Sequence, residues 1–381
     1  MTPPGTTLAE RLTRRIRLTG PMTVADYMRE ALADPEQGYY RRDDPLGVAG
    51  DFTTAPEISQ MFGEMIGLWC VDVWSRMGAP SPVRLVELGP GRGTLMADAL
   101  RAARLRPEFG AAVDLHLVEI SETLRARQAE TLRGAPLGTA PTWHDDFATV
   151  PNGPLLLIAN EFFDALPVHQ FERTPEGWHE RVVATDPEGD RRFRFALAPP
   201  GPAIGLLGPD LLEPGRQAAP VGSVAEVSPA GIALAEAIGR RLATFGGAAL
   251  IVDYGYGAGV MGDSLQALRR HRRHDPLVEP GCADITAHVD FAALGRAARS
   301  VGAVVRGPVP QGPFLDRLGL RLRAATLLDR ATPEQARDIH AAVERLLEPT
   351  QMGTLFKALA ITSAGLPIPA GFETPGTATS P

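Results

Sequence analysis

The segment VELGPGRGTL, residues 86–95, follows an apolar run and places three glycines, Gly89, Gly91 and Gly93, behind an acid, Glu87. A glycine-rich turn after a strand brings backbone N–H groups against a nucleotide, with a helix N-terminus meeting its charge. The dinucleotide fingerprint G-x-G-x-x-G does not fit, because the third glycine arrives one residue early and the pattern is E-x-G-x-G-x-G. Glu87 at the strand end would also repel a pyrophosphate. S-adenosylmethionine carries no phosphate. Its methionyl part bears an ammonium and its reactive centre is a sulfonium, so an acid beside the glycine turn suits it.

The surrounding pattern supports that choice. VRLVEL reads as a strand, TLMADALRAARL as a helix, DLHLVEI as a second strand, and SETLRARQAETL as a helix capped by Ser121. PTWHDDF holds a short strand edge. PLLLIAN is a continuous apolar run, as expected of a central parallel strand covered on both faces. GIALAEAIGRRLATF is a later helix and GAALIVDYGY another buried strand, and strand–helix alternation of this kind builds a doubly wound α/β sheet. Glu119 ends the second strand, where its carboxylate can accept both ribose hydroxyls. Asp145 or Asp146, in HDDF, is placed to meet the adenine amino group. Each acid alone could equally cap a helix or face solvent. Together, at successive strand ends, they give the pattern of a class I methyltransferase.

Two regions interrupt the alternation, at about 171–230 and 257–290. The first contains a hairpin around Asp186 to Asp190. Long segments after the carboxyl ends of strands are usually functional in open α/β sheets. Before residue 82 the chain reads as helical. Leu8, Leu12, Ile16 and also Leu18 are candidates for one apolar side of a first helix, Thr23 for an N-cap, and Pro56 for a helix start. The expected organisation is an N-terminal helical region over 1–81 covering the cofactor pocket, a methyltransferase domain over 82–365, and a disordered Pro-, Thr- and Gly-rich tail over 366–381.

The chain has 381 residues, 44% hydrophobic and 22% charged, with a formal net charge of −7. Those proportions are ordinary for a globular protein. The negative balance argues against non-specific nucleic-acid binding, so RRHRRH, residues 269–274, reads as a solvated loop or helix end. No apolar run has the length of a membrane span. The N-terminus slightly resembles an Arg-rich transit peptide but lacks a secretory apolar stretch. Cys70 and Cys282 stand far apart and the eight histidines show no ligand spacing, so neither a metal site nor a disulfide framework is expected. Lys357 is the only lysine, and with abundant Ala, Gly and Pro it suggests a GC-rich bacterial source and a cytoplasmic protein; a eukaryotic source would imply the mitochondrial matrix.

GDFTTAPEISQMFGEMIG, ELGPGRGTLM, ANEFFDALPVHQF, IVDYGY, DITAHVDF and QMGTLFKALAIT, in this order over nearly the whole chain, resemble the successive motifs of the MidA-like family. GDFTTAPE and NEFFDALP are far more specific than the glycine loop. The resemblance implies a seven-stranded class I methyltransferase (Rossmann-like) sheet, S-adenosylmethionine as cofactor, and transfer to an arginine of a protein substrate. The family's mitochondrial members are arginine methyltransferases that assist assembly of respiratory complex I. By that resemblance the product would be symmetric dimethylarginine and the acceptor a respiratory NADH dehydrogenase subunit. It further implies that Gly50 and Asp51 of GDFTTAPE pack over the cofactor pocket, whereas the residues alone allow a capping loop with Thr54 as cap.

On the acceptor side, Glu161 and Asp164 of EFFDALPV follow the fourth strand at a spacing of three, and if the segment turns both can face one way. Two carboxylates could hold a guanidinium and localise its charge on one nitrogen, leaving another to attack a methyl. Phe162 and Phe163 would exclude water. Asp164 could instead cap a turn before Pro167, and Asn160 belongs either to the cofactor network or to a turn. His288, with Asp290, could line an acceptor channel, or the segment from Thr286 to Asp290 could begin a helix. Two other functions stay open: methylation of a small molecule or another side chain, and a non-catalytic assembly factor that keeps the cofactor pocket.

Overall fold

The computed structural model describes residues 6–41, 54–186, 192–208, 219–257 and 262–373. The chain divides into two compact units.

The larger unit comprises Thr53–Phe163, Leu234–Gly257 and Val289–Pro381. Its sheet runs in the order Thr142–His144, Val113–Val118, Val83–Leu88, Leu155–Asn160, Gly247–Tyr256, Phe356–Thr362, Val304–Pro310. The first five strands pair in parallel, and Phe356–Thr362 lies antiparallel between its two neighbours. All seven expected strands are present, the last antiparallel as anticipated. A further two-residue strand, Val289–Asp290, pairs in parallel with the end of Gly247–Tyr256 and makes the sheet eight-stranded. Leu155–Asn160 is buried at every position, which its apolar run requires between Val83–Leu88 and Gly247–Tyr256.

Helices Gln60–Arg76 and Thr94–Ala103 pack closely in this unit because the first is notched by glycine. A Cβ on Gly67 would lie 2.3 Å from the Ala99 carbonyl oxygen, and one on Gly63 would lie 2.6 Å from the Asp98 Cβ. The helix start expected at Pro56 is real but short. Ala55–Ile58 ends at Ser59, whose extended backbone breaks the helix and whose Oγ accepts from Met61 N as Gln60–Arg76 begins. Thr54 occupies the N-cap position but makes no side-chain cap bond.

The smaller unit comprises Met1–Phe52, Asp164–Ala233 and Ala258–His288. Five strands form one antiparallel sheet: Met22–Thr23, His169–Thr174, Gly177–Thr185, Phe193–Leu197 and Val224–Val227. The two strands of the expected hairpin pair as Gly177–Thr185 with Phe193–Leu197; the tip, 187–191, lies outside the described residues. A three-stranded sheet joins Gln266–Arg269, Arg272–His274 and Asp284–Thr286, so RRHRRH is an exposed hairpin tip and not a helix end. Helix Leu8–Thr19, closed by a Thr7/Glu10 capping box, buries Leu8, Leu12 and Ile16, whereas Leu18 is 78% exposed and does not belong to the apolar face.

The expected boundaries therefore shift. The N-terminal 81 residues do not act as one region: Leu8, Leu12 and Met28 share a core with Val183, Phe193 and Ile285, while Met61, Phe62 and Trp69 share one with Leu95 and Leu115. The inserted segments begin at 164 and 258 and supply the first of these cores. The tail is also packed further than its composition implies. Phe372 is buried with its ring centroid 5.2 Å from that of Phe314, and Arg317 donates to the Gly371 carbonyl at 3.0 Å; residues 374–381 lie outside the described set.

Candidate cofactor site

Gly89, Gly91 and Gly93 all adopt left-handed backbone, with φ of 59°, 55° and 81°. Side chains disfavour that region, which is why glycine recurs here. The turn is short: Gly89 N donates to Val118 O, Gly93 N donates to Pro90 O, and Gly93 then caps helix Thr94–Ala103. A Cβ on Gly89 would sit 2.8 Å from the Phe162 ring, so the first glycine lets the fourth-strand turn close onto the loop.

Glu87, one residue before the end of Val83–Leu88, is 2% exposed. Its Oε2 is buried without a hydrogen-bond partner, and burial pushes the carboxyl up to about 8. Glu119, just past Val113–Val118, is also buried. Its Oε1 accepts from Ser121 N at 2.8 Å and its Oε2 from Gln128 Nε2 at 3.2 Å. Burial raises it and these hydrogen bonds partly offset the rise. The fourth strand ends in Asn160, whose Nδ2 donates to Glu161 Oε1 while its own Oδ1 is buried without a partner.

Glu161 has a φ of 50°, rare for a side-chain-bearing residue. It is held there from three sides. Its N–H donates to Val252 O at 2.9 Å, its Oε1 accepts from Ala55 N at 2.8 Å, and the next two N–H groups, of Phe162 and Phe163, donate to Asp253 Oδ2 at 3.1 and 3.0 Å. Asp253 is fully buried and its Oδ1 accepts from Tyr254 N. The Phe162 and Phe163 rings meet edge to face, 5.7 Å apart.

These side chains of the larger unit form one assembly. Other expected residues stand outside it. Asp145 is exposed and paired with Arg125 at 2.6 Å; Asp146 caps the turn Phe147–Thr149 by accepting from Ala148 N. Asp164 and His288 belong to the smaller unit. There the Asp164 carbonyl accepts from Ala287 N, and burial, with the charges of Asp284 and Asp164, raises the Tyr40 hydroxyl, which donates to Asp284 at 2.8 Å. The His288 N–H donates to Ser264 Oγ at 2.8 Å. Asp290 accepts from Ala293 N and caps Phe291–Ser300, the helix start that its segment allowed. Gly50 and Asp51 lie outside the described residues.

Three residues not anticipated from the sequence join the assembly. Asp253 holds the fourth-strand turn. Glu57 accepts from the Thr94 hydroxyl at 2.7 Å and lies 3.9 Å from Arg92, tying APE to the start of the helix after the glycines. Gln128 touches both the glycine loop and Glu119. A polar residue four after Leu124, on the buried side of a helix, was the available signal for Gln128.

The site fits S-adenosylmethionine. Acceptor oxygens of Glu87 and Asn160 lack donors at adjacent strand ends, a cationic ligand with N–H and O–H groups could supply them, and the left-handed glycines leave backbone bare beside them. Among the described residues, no group of three or more His, Cys, Asp or Glu could hold a metal ion, and no helix is long and apolar enough to cross a membrane.

The sheet order, its antiparallel seventh strand and the acid–glycine turn define a class I, Rossmann-like, S-adenosylmethionine-dependent methyltransferase. Residues 65–309 match the family described as "Putative S-adenosyl-L-methionine-dependent methyltransferase". The chain is 40% identical to the mouse (Mus musculus) mitochondrial protein arginine methyltransferase NDUFAF7 and 41% identical to its Drosophila melanogaster homolog, over 93% of this chain and 84% of each relative. A Burkholderia thailandensis crystal structure bound to S-adenosyl-homocysteine superposes with a TM-score of 0.82 at 31% identity, covering 96% of this chain and 93% of that one. The chain belongs to this MidA-like family of methyltransferases.

Proposed function

We propose that the protein methylates arginine side chains of a protein acceptor, with S-adenosylmethionine held by the glycine turn, Glu87, Glu119 and Asn160. The observation that carries the acceptor side is Glu161. A carboxylate residue is kept in left-handed backbone at the end of the central strand by bonds from Val252, Ala55 and Asp253 around it. Strain of this kind persists where the surroundings over-determine it, and it concentrates at functional sites. The naming of the 40%-identical relatives as protein arginine methyltransferases supports arginine as the acceptor.

The bound cofactor supplies an electrophilic methyl on a sulfonium. Glu161 would orient the guanidinium and draw its positive charge toward one nitrogen, leaving another to form the N–CH3 bond as the S–CH3 bond breaks, with the sulfonium departing as a neutral thioether and the proton released to solvent. Phe162 and Phe163 keep water from the path. Asp164 and His288, on the smaller unit, are proposed as acceptor-side residues, and Asp145 or Asp146 to meet the adenine. Gly50 and Asp51 are proposed to contribute to the cofactor side. The acceptor class we favour is a respiratory NADH dehydrogenase subunit, with symmetric dimethylarginine as product, in the bacterial cytoplasm or, for a eukaryotic source, the mitochondrial matrix. The relatives' names, which place them in mitochondria, support the second compartment.

The test is transfer of labelled methyl from S-adenosylmethionine to protein, with the product resolved by mass spectrometry. Labelled methylarginine is expected. Glu161→Gln should bind S-adenosyl-homocysteine nearly normally yet turn over roughly 100-fold more slowly. Label appearing only in small molecules, or a Glu161→Gln protein of normal rate, would overturn the proposal.

A further inference from the structure

Gln128 is fully buried in the middle of helix Glu122–Thr131. Its Nε2 donates to the Gly91 carbonyl at 2.7 Å and to Glu119 Oε2 at 3.2 Å, and its Oε1 accepts from Trp143 Nε1 at 2.8 Å. These three partners leave the amide one orientation. An indole N–H can only donate, so the amide oxygen must face Trp143; a carbonyl and a carboxylate accept, so the NH2 must face them. One side chain thus links the glycine turn, the acid after the second strand, and the edge strand Thr142–His144.

We infer that Gln128 is a positioning residue for the cofactor, which locks the Glu119 carboxylate in plane and at a fixed distance from Gly91. This rests on the assignment of Glu119 to the ribose hydroxyls. Glu119 Oε1 accepts from Ser121 N and Oε2 from Gln128 Nε2, the Ile120 backbone N–H also bears on the group, and a carboxylate's about four acceptor sites leave room toward the ribose. Without the amide, Oε2 is free to rotate about the terminal torsion, which is soft for a carboxylate. The bidentate arrangement toward two hydroxyls would then be lost while the loop and the adenine contacts remain. Trp143 acts one step further out, by fixing which end of the amide faces the acid.

Calorimetry on the full chain tests this with S-adenosyl-homocysteine and its 2′-deoxy counterpart, using the ratio of the two affinities as readout. A merely structural role weakens both ligands together and leaves the ratio unchanged. For Gln128→Ala we expect S-adenosyl-homocysteine to weaken about tenfold, the scale of one hydrogen bond to a charged group, and the ratio to fall to that of Glu119→Ala. Trp143→Phe keeps the ring and removes only the N–H; its ratio should fall by a smaller factor. Should Gln128→Ala fail to fold, Trp143→Phe decides, and a wild-type ratio there overturns the inference. If Glu119→Ala collapses the ratio but Gln128→Ala does not, the Gln128 role is wrong. If Glu119→Ala itself keeps the wild-type ratio, the ribose assignment has failed and the Gln128 inference falls with it.

Discussion

Glu87→Gln should make the cofactor-free protein more stable in alkali than the native one. Burial with an unpartnered oxygen raises the Glu87 carboxyl from 4.5 to about 8. The folded-state pKa lies above the unfolded one, so the native protein holds its full stability below pH 4.5. It loses stability as pH rises toward 8 and changes no further above that. The slope inside the window is about 1.4 kcal/mol per pH unit, which gives a loss of about 3 kcal/mol by pH 7, a large share of the ~5–15 kcal/mol that holds a typical domain. Glutamine keeps the shape and cannot ionise, so its variant should lack this limb. Urea unfolding at pH 5 and pH 8, on both proteins without cofactor, measures the difference: the native midpoint should drop between the two and the variant's should move much less. A cation placed beside Glu87 favours the charged form, so S-adenosylmethionine should bind the native protein more tightly at pH 8 than at pH 6, and the variant equally at both. Parallel stability profiles for the two proteins would refute both the buried neutral acid and its part in meeting the cofactor's charge.

Gly91→Val should abolish S-adenosyl-homocysteine binding in calorimetry, because valine resists a φ of 55° and would fill space beside the ligand; unchanged affinity would remove the loop from the site. Gly89→Ala should weaken binding more than tenfold, since its Cβ would meet the Phe162 ring at 2.8 Å and the chain sits at a φ of 59°; thermal denaturation should show a destabilisation of about 1–2 kcal/mol. Asp253→Ala strands the buried N–H groups of Phe162 and Phe163 and should cost roughly 1–3 kcal/mol per lost acceptor, with slower turnover; an unaltered urea midpoint would show that the turn holds itself. His116 Nδ1 and His144 Nε2 lie 3.0 Å apart, and burial lowers both below 6.5. Their folded pKa values lie below the unfolded ones, so the stability they confer is present above pH 6.5 and lost as pH falls, and His144→Gln should flatten that acid limb in urea titrations.

The sheet was legible because its signals are local. PLLLIA and GAALIV are continuous apolar runs, and only a strand covered on both faces asks for that. Thr23 and Ser121 cap helices where their hydroxyls stand before an apolar period, accepting from Asp26 N and Leu124 N. What stayed hidden depends on contacts distant in sequence. Nothing near Leu8 says that its core partners are Val183 and Ile285, so the sequence alone suggests a separate region for the N-terminal helices. The stretch from Leu366 to Phe372 reads as a proline- and glycine-rich tail until Phe314 gives its phenylalanine a partner.

The site divides along the same line. Glu87, the three glycines and Glu119 stand on strand ends whose order is written in the chain, and their positions follow from it. Asp253 and Gln128 do not advertise themselves in that way. Each is a polar residue where the local pattern wants an apolar one: Asp253 near the end of a buried strand, Gln128 one turn after Leu124. Burying either without partners would be costly, so each must be answering groups that the fold brings to it. For Asp253 these are two N–H groups about ninety residues earlier in the chain; for Gln128 they are a glycine carbonyl thirty-seven residues before it and an indole fifteen after. A polar side chain that interrupts a buried apolar pattern beside a cofactor loop is therefore a candidate for holding that loop's neighbours in place. Asp253 and Gln128 both meet that criterion, and the strand-end acids alone revealed neither.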